Sequence, residues 1–472
     1  MKKFDKLYIN GEWVKSNSRE IIEVINPATE NPCACVPGGN REDVNAAVAS
    51  ARQAFNSWAH TSSEKRAAIM NAVADEMQHR TDDLVDAHVI TMGCPRHLTA
   101  GLHIDAPIKA MRFYADRARQ MEEVEEKGSV LLLKEPIGVC ALINPWNYPL
   151  HQLIGKVAPA LAAGCTIITK PSGQTPLQDF IMAEIFAAVG LPPGVFNLVS
   201  GSGSVIGPNM SSHPDVDMIS FTGSTYAGIK VAAAAAPTVK RVCQELGGKS
   251  PYIITKDADL KAAVRYGVED VMLNTGQTCN ALTRMLVPRS RYEEAVNIAR
   301  KIAEENIVGD PNDKSVTMGP LASASQKQIV LKYIKTGIAE GARIVTGGID
   351  MPPGLHFGAY VQPTIFADVS SEMVISREEI FGPVLCMIVY DDIEAAIEMA
   401  NDTVYGLSSG VYAKDKTSAI KIARQIRAGQ CYIQGSYFNL EAPFGGYKQS
   451  GNGREWGDHA MHEYIETKAI IA

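Results

Sequence analysis

From residue 139 onward, short apolar runs alternate with amphipathic stretches, and this alternation constrains the fold more than any other feature. The apolar runs occupy residues 139–143, 166–169, 195–199, 218–221 and 241–245. The stretches between them have helical periodicity, at residues 151–163, 177–189 and 226–236, and a glycine-rich loop enters a helix at 201–210. Strands that alternate with helices indicate βαβ units and a parallel sheet with right-handed crossovers.

A second alternating series runs from about residue 252 to 435. Its helical patterns lie at 260–273, 292–305, 324–340, 393–400 and 418–428, with strand-like runs at 343–346, 384–390 and 409–413. The first ~125 residues are helix-rich, with periodic segments at 44–58, 64–78 and 84–90. Because 472 residues exceed the ~250–300 that one core serves, the sequence predicts two large α/β domains and leaves room for a smaller appendage.

Charge and cysteine content exclude several functions. A net charge of −7 and a pI near 5.9 argue against a nucleic-acid partner. Stretches such as 157–169 are too short to span a bilayer, and no apolar run follows the basic N-terminus, so a soluble, cytoplasmic protein without a membrane partner is expected. The acidic residues at 122, 123, 125 and 126 are interpreted as a solvated helix face. Nine irregularly spaced cysteines, including the isolated pair Cys33 and Cys35, indicate reduced thiols and no metal site.

Two strand ends have residues suited to a nucleotide. Phe221-Thr-Gly223-Ser224 joins a strand to a helix, and the first free amides of a helix bind phosphate. Lys170, at the end of another strand, is placed for a ribose or phosphate, since ligands of open α/β sheets bind beyond the carboxyl ends of strands. The alternatives are an ordinary turn and a solvated lysine. Neither the turn at 221–224 nor the glycine-rich loop at 201–210 matches the dinucleotide fingerprint G-x-G-x-x-G.

Three further residues have reactive or polarising side chains in suitable contexts. Cys279 ends the loop Asn274-Thr-Gly-Gln-Thr-Cys, which makes it a stronger candidate for an exposed nucleophile than the other cysteines, although a buried apolar thiol remains the alternative. Glu245 ends a strand before two glycines and could serve as a general base, although an ordinary exposed glutamate has the same pattern. Asn147 lies between two prolines, and its amide could donate to an oxyanion.

In combination and in this order, these segments closely resemble the aldehyde dehydrogenase superfamily. The resemblance extends from residues 9–13 to 463–470. Its most specific segments are PWNYP (145–149), KPS (170–172), FTGS (221–224), ELGGKSP (245–251), GQTC (276–279), EEIFGPV (378–384) and PFGGYKQSG (443–451). The resemblance implies NAD(P)-dependent oxidation of an aldehyde to a carboxylic acid.

The resemblance also implies roles for catalytic residues. Cys279 would attack the aldehyde to form a thiohemiacetal and then a thioester, and Asn147 with the Cys279 amide would form the oxyanion hole. Glu245 would activate the water that hydrolyses the thioester. Lys156 and Glu455 match positions along the proton path from that base.

Cofactor, substrate and assembly expectations follow from the same resemblance. The implied cofactor contacts are Pro145, Trp146, Lys170, Ser172, Gly173, Gly223, Ser224, Leu246, Glu379 and Phe381. The implied substrate pocket comprises Tyr148, Gln152, Gly155, Thr278, Asn280, Tyr437, Phe438 and Phe444. The family architecture implies a Rossmann-type cofactor domain (1–127 and 137–247), a catalytic α/β domain (248–450) and a β arm (128–136 and 456–472) that forms homodimers or homotetramers.

Two features concern specificity. NAD-preferring members usually have KPSE, but here the fourth residue is Gly173, which indicates either that NADP is accepted or that NAD binding is merely weakened. A glycine at 155 leaves space, and Tyr437 and Phe438 could stack on an apolar group, so an aromatic or longer aliphatic aldehyde is expected. Two rival functions are a CoA-acylating enzyme, which would not need Glu245, and an inactive structural relative, which would lack Cys279, Glu245 or Asn147.

Overall fold

The structure, a computed structural model, describes residues 2–472, so Met1 of the predicted cofactor domain lies outside the described residues. The strands are β1 Lys2–Lys3, β2 Leu7–Ile9, β3 Glu12–Val14, β4 Glu20–Ile25, β5 Pro32–Gly38, β6 Glu125–Lys127, β7 Val130–Pro136, β8 Val139–Ile143, β9 Thr166–Lys170, β10 Phe196–Leu198, β11 Met218–Thr222, β12 Arg241–Glu245, β13 Pro251–Ile254, β14 Arg284–Pro288, β15 Arg343–Thr346, β16 Thr364–Ala367, β17 Val384–Tyr390, β18 Gly410–Tyr412, β19 Tyr432–Ile433, β20 Gly451–Asn452 and β21 Ile465–Ile471.

The α-helices are α1 Arg41–Ala59, α2 Ser63–His79, α3 Thr81–Met92, α4 Arg96–Thr99, α5 Asp105–Arg117, α6 Pro149–Ala163, α7 Leu177–Ala188, α8 Gly203–Ser211, α9 Thr225–Ala235, α10 Leu260–Met272, α11 Tyr292–Glu304, α12 Ala324–Ala339, α13 Val374–Arg377, α14 Ile393–Asn401, α15 Lys416–Ala423 and α16 His459–Glu463. A π-helical turn, Ala100–Ile104, precedes α5, and short 3₁₀ turns include Ala118–Glu122 and Leu273–Gly276.

An eight-stranded sheet contains the five strands predicted from the first alternating series. Its order is β20-β12-β11-β8-β9-β10-β2-β3, and the strands from β12 to β10 are parallel. The chain runs outward from β8 to β9 and β10 on one side, then returns to β11 and β12 on the other. Order reversal of this kind opens a crevice at the carboxyl ends of the two central strands, here β8 and β11.

A seven-stranded sheet forms from the second alternating series, in the order β15-β16-β17-β14-β13-β18-β19. Every pair is parallel except the edge pair of β15 with β16. The strands from β16 to β13 are wholly or almost wholly buried apolar runs, as expected for a sheet covered by helices on both faces. The loop that contains Cys279 lies between α10 and β14 of this unit.

The N-terminal region is helical only from residue 41 onward. Helices α1, α2 and α3 confirm the three periodic segments predicted there. The earlier residues instead form β1 to β5: β2 and β3 extend the edge of the eight-stranded sheet, and the other three form a small sheet of their own. The mixed α/β architecture predicted from the sequence is therefore confirmed.

A three-stranded antiparallel sheet, β21-β7-β6, corresponds to the expected arm but begins earlier in the chain. The interpretation of the acidic run as a helix face is wrong. Glu122 ends a 3₁₀ turn, whereas Glu125 and Glu126 lie on β6 and pair with Leu132 and Leu131. A tight turn at Gly128 (φ 62°) pairs this segment with β7, and its side chains remain solvated at the sheet edge.

Two negative findings concern residues 2–472. None of their helices has the length and apolarity needed to cross a membrane. None of their histidine, cysteine, aspartate and glutamate side chains gather into a group suited to a metal ion.

Candidate active site

Two adjoining cavities form one cleft at the carboxyl ends of β8 and β11. Both are lined by Pro145 and Trp146, which follow β8, and by Thr222, Gly223 and Ser224 at the end of β11. One cavity extends to Lys170 and Ser172, and the other reaches Glu245, Leu246, Cys279, Glu379 and Phe381. The cleft therefore brings together nine of the ten predicted cofactor residues, all except Gly173.

At its far end the cleft is basic. Lys170 is buried and donates from Nζ to the Pro171 carbonyl at 2.6 Å, and burial lowers the pKa of its ammonium to about 8 although Asp179 opposes the shift. Lys230 also lines this end, and no carboxylate among the described residues does so. Gly173 does not line it, but a side chain there would meet only Ile22, at an ordinary 3.6 Å.

In the middle of the cleft, α9 begins. Ser224 is the N-cap of this helix, and its Oγ accepts a hydrogen bond from the Ala227 amide at 3.3 Å. The adjoining Gly223 lines both cavities. Free backbone amides and the positive end of the helix dipole thus face the middle of the cleft, an arrangement that stabilises phosphate oxygens.

The near end of the cleft is shaped by Glu379 and Phe381. The Glu379 carboxylate accepts a hydrogen bond from the Gly248 amide at 2.9 Å, and burial raises its pKa to about 7. A Cβ at Gly247 would lie 2.4 Å from Glu379 Oε2, so a larger residue there would displace this carboxylate. Phe381, in the left-handed region at φ 59°, packs edge-on against Trp146 with ring centroids 5.2 Å apart.

A strained turn precedes Cys279 and is fixed by side-chain amides. Asn274 and Thr275 both adopt left-handed backbone angles, with φ of 53° and 56°. Asn274 Nδ2 donates to the Asn147 carbonyl at 3.0 Å, and Asn147 Nδ2 donates to the Gln277 carbonyl at 3.0 Å. The second bond fixes the orientation of the Asn147 amide, which lines the same cavity as Cys279.

The thiol of Cys279 is half-buried at the end of the cleft. Burial raises the pKa of this thiol, and the neighbouring carboxylates of Glu379, Glu245 and Glu455 raise it further. The thiol is therefore neutral in this environment, so its attack on a substrate requires a group that takes up its proton.

Glu245 is such a group. Its side chain is 2% exposed, and neither carboxylate oxygen has a hydrogen-bond partner among the described residues. Burial raises the pKa of this carboxyl well above its usual value, and Glu455 adds to the shift while Lys156 opposes it. A Cβ at Gly445 (φ 151°) would approach Glu245 Oε1 to 2.6 Å, so glycine at that position keeps space beside the carboxylate.

Behind Glu245, Lys156 and Glu455 form a buried ion pair. Lys156 Nζ lies 2.9 Å from Glu455 Oε1, with the two side chains 0% and 3% exposed. The ammonium also donates to Gln152 Oε1 at 3.2 Å. Gln152, predicted in the substrate pocket, is thus buried and bonded to this pair.

On the other side of Cys279, several predicted substrate residues do come together. Tyr148 and Thr278 share a hydrogen bond of 2.8 Å between their hydroxyls, and Asn280 Nδ2 donates to the Tyr432 hydroxyl at 3.0 Å. Phe438 is half-buried against the hydrophobic core and contacts the His151 and Trp456 rings.

Two predictions about this side, for Gly155 and Tyr437, need correction, and the one for Phe444 stays a prediction. Gly155 leaves no free space, because a Cβ there would lie 2.8 Å from the Trp456 ring, which fills the position. Tyr437 is 77% exposed and packs on Tyr266 instead of entering a pocket. Phe444 is buried, and its backbone pairs with Glu455 in both directions, which anchors the segment that bears that carboxylate.

Two residues of this region were not predicted from the sequence. His151 contacts Trp456 at 4.3 Å, Phe438 at 5.1 Å and Tyr148 at 5.9 Å between ring centroids. His151 lies three positions after Tyr148 and four before Gly155, so helical spacing could have placed it on the same face of α6. Trp456 has no such signal, since it comes from a distant segment.

The fold and cleft define an α/β protein with a thiol, a carboxylate and an amide at the end of a sheet crevice. A sequence profile described as the aldehyde dehydrogenase family matches residues 13–470. The chain is 46% identical to a 3-succinoylsemialdehyde-pyridine dehydrogenase of a Pseudomonas species, over 100% of this chain and 99% of that protein. It belongs to the aldehyde dehydrogenase family and is an oxidoreductase that acts on aldehydes.

Solved structures agree with this assignment. A mutant of aldehyde dehydrogenase C from Pseudomonas syringae, in complex with NAD+ and octanal, superposes with a TM-score of 0.98 at 47% identity, covering 99% of this chain and 96% of that one. An aldehyde dehydrogenase of Mycobacterium tuberculosis, complexed with NAD+, gives a TM-score of 0.96 at 41% identity over 100% and 98% of the two chains.

Proposed function

We propose that this protein oxidises aldehydes to carboxylic acids with NAD(P), through a thioester on Cys279 that water hydrolyses. The observation that carries the proposal is the convergence of Cys279, Asn147 and Glu245 on one cavity of a nucleotide-sized cleft. The NAD+ complexes of the Pseudomonas syringae and Mycobacterium tuberculosis enzymes support the choice of cofactor.

The residues of the cleft fit a dinucleotide. Lys170 and Ser172 would hold the adenosine ribose, and Gly223 and Ser224 the pyrophosphate. Glu379 and Phe381 would position the nicotinamide ribose and ring beside Cys279, in the space that glycine at 247 keeps open. When bound, the dinucleotide supplies the acceptor for the hydride that leaves the substrate carbon.

Cys279 begins the reaction by attacking the aldehyde carbon. Glu245 takes up the thiol proton, and the aldehyde oxygen develops negative charge as the carbon becomes tetrahedral. The Asn147 amide and the Cys279 backbone amide would donate to that oxygen, and a fixed donor of this kind typically contributes about 3–4 kcal/mol to the transition state. Loss of hydride from this thiohemiacetal leaves a thioester on the sulfur.

Glu245 then completes the cycle. As a carboxylate it removes a proton from water, the resulting hydroxide adds to the thioester carbonyl, and the C–S bond breaks to release the acid. The buried pair of Lys156 and Glu455 lies behind the base and would relay its proton away. The retention of Glu245 in the cavity supports hydrolysis over transfer of the acyl group to CoA.

We propose that NADP is accepted as well as NAD. Lys170 and Lys230 line the adenosine end of the cleft, and no carboxylate among the residues lining it would repel a 2′-phosphate. A weakened affinity for NAD without acceptance of NADP is the competing outcome.

We also propose an aromatic or longer aliphatic aldehyde as substrate, and a homodimer or homotetramer joined through the arm. The aromatic side chains near Cys279 support the first, as does octanal in the Pseudomonas syringae complex. The exposed edge of β21 supports the second. All nine cysteines are free, which supports a reducing compartment such as the cytoplasm.

The decisive experiment follows the absorbance of reduced nicotinamide with NAD and NADP in parallel, against aromatic, aliphatic and semialdehyde substrates. Cys279→Ala is the control, and products are identified with and without CoA. Carboxylic acid formed only by the wild type supports the proposal. Acyl-CoA as the main product, or no reduction by folded protein that still binds the dinucleotide, would overturn it.

A further inference from the structure

The polar side chains on the outer side of Cys279 are almost all engaged with one another. Tyr148 and Thr278 share their hydroxyl hydrogen bond, Asn280 donates to Tyr432, and Gln152 accepts from Lys156. Each of these groups thus has at least one hydrogen-bond partner within the protein.

His151 differs from these side chains. Its ring makes no hydrogen bond to any residue in the range 2–472, although it is surrounded by Tyr148, Phe438 and Trp456. Burial lowers the pKa of this imidazole to about 3, and the Lys156 ammonium lowers it further, so the ring is neutral near pH 7. A neutral imidazole has one N–H donor and one acceptor nitrogen.

The need to satisfy that N–H indicates what the ring recognises. Orphaned N–H groups away from water are rarer than orphaned acceptors in folded proteins, and leaving one unpaired when a substrate excludes water costs about 1–3 kcal/mol. An acceptor atom on the bound aldehyde would remove that cost. The three aromatic neighbours favour a flat ring on the same substrate, since ring pairs at these separations add about 0.5–1.5 kcal/mol.

We propose that His151 determines specificity by donating a hydrogen bond to an acceptor atom of the substrate, and that the preferred aldehydes have a heteroaromatic ring with such an acceptor. This inference rests on the proposed function, because it assigns the substrate class of the same site. Tyr148, the N-cap of α6, contacts the imidazole from the same segment, and Phe438 and Trp456 contact it from the C-terminal segment. The Lys156 ammonium acts on the imidazole through its charge.

The test compares phenylpropanal with its pyridyl analogue, which differ in one ring atom. The wild type should oxidise the pyridyl aldehyde with a kcat/KM roughly tenfold higher, the effect of one net hydrogen bond. His151→Phe keeps an aromatic ring but removes the donor, and should bring the ratio close to one. His151→Gln keeps an N–H donor and should retain part of the preference, and the exposed His97→Phe serves as the matched control.

The outcomes separate this inference from the proposed function. If the wild type oxidises octanal but shows no preference between the two ring aldehydes, or if His151→Phe keeps the preference, His151 is not the recognising group. If the wild type oxidises no aldehyde with either dinucleotide, the proposed function fails first. Should His151→Phe misfold, His151→Gln decides. Its amide N–H lies at a different position from the imidazole N–H, so the ratio of kcat/KM between the pyridyl and phenyl aldehydes should change. A ratio equal to that of the wild type would exclude His151 as the recognising group.

Discussion

The two sides of Cys279 are constructed by different means. The proposed cofactor side consists largely of backbone and short loops that follow neighbouring parallel strands, with glycine at positions 223 and 247. The proposed aldehyde side includes aromatic rings from residues 151, 438 and 456, which meet only in the folded protein. The difference indicates that the first side is fixed by the fold itself, whereas the second can change with a few side chains.

Glu245→Gln should produce the largest effect and separate the two half-reactions. Glutamine cannot remove a proton from water, so steady-state turnover should fall roughly 10³-fold. Cys279 would still form the thioester slowly, and mass spectrometry should detect the acyl group on the protein. Normal turnover in this variant would mean that another group serves as the base.

Asn147→Ala tests the residue at the border of the two sides. Loss of the oxyanion donor should lower kcat roughly 10²-fold, with a smaller change in the KM for either substrate. Asn147 also fixes Gln277, so thermal unfolding should be measured in parallel. A change confined to the KM of the dinucleotide would place Asn147 on the cofactor side alone.

The pH profile should report the environment of Glu245. Its pKa is raised by burial and by Glu455, and only its carboxylate form accepts a proton. Turnover should therefore be lost, about tenfold per pH unit, as the pH falls through a value well above the ~4.3 of an ordinary glutamate. A profile that stays flat down to that ordinary value would contradict the structure.

Gly173→Glu should affect only the cofactor side. A carboxylate introduced there would repel a 2′-phosphate, and Ile22 leaves room for the side chain. The kcat/KM for NADP should fall roughly tenfold relative to that for NAD, with the KM for the aldehyde unchanged. Equal kcat/KM for NAD in both proteins, together with unchanged activity on NADP, would refute the role of this position.

Gly155→Ala should affect only the aldehyde side and give the smallest change in rate. The added methyl group would press on the Trp456 ring, and overpacking of this kind typically costs about 1–3 kcal/mol of unfolding free energy. Calorimetry should show a lower Tm, while the KM for NAD stays constant. A gain in stability would mean that the ring is not tightly packed.

The sequence predicted well which residues line the cleft, because these residues lie in contiguous motifs at strand ends. The strand pattern was enough to place Lys170, Gly223 and Glu245 at the ends of strands. The order of the strands in the sheet then brings these residues along one crevice. The loop made Cys279 the strongest candidate among the cysteines, and the resemblance to the aldehyde dehydrogenases implied its role as nucleophile. Position in a parallel sheet follows from local sequence, so little tertiary information was required.

The aldehyde side was harder to predict because it depends on contacts between distant segments. Gly155 suggested open space, but Trp456, some 300 residues later, fills it. Gln152 suggested a polar pocket, yet it is bonded to Lys156. The prediction of a helix for the acidic run at 122–126 was wrong for a related reason. Glu125 and Glu126 pair with β7 across a turn, and this pairing outweighs the helical character of the local sequence.

The segment 451–456 makes the completion of the site depend on residues that are synthesised after both series of strands. It provides β20, which pairs with the strand that ends in Glu245, as well as the carboxylate that pairs with Lys156 and the ring that covers Gly155. Domains fold largely in the order in which a ribosome releases them. A chain in which the other strands have folded therefore still has an unpaired buried lysine and an unsupported base until this segment is in place.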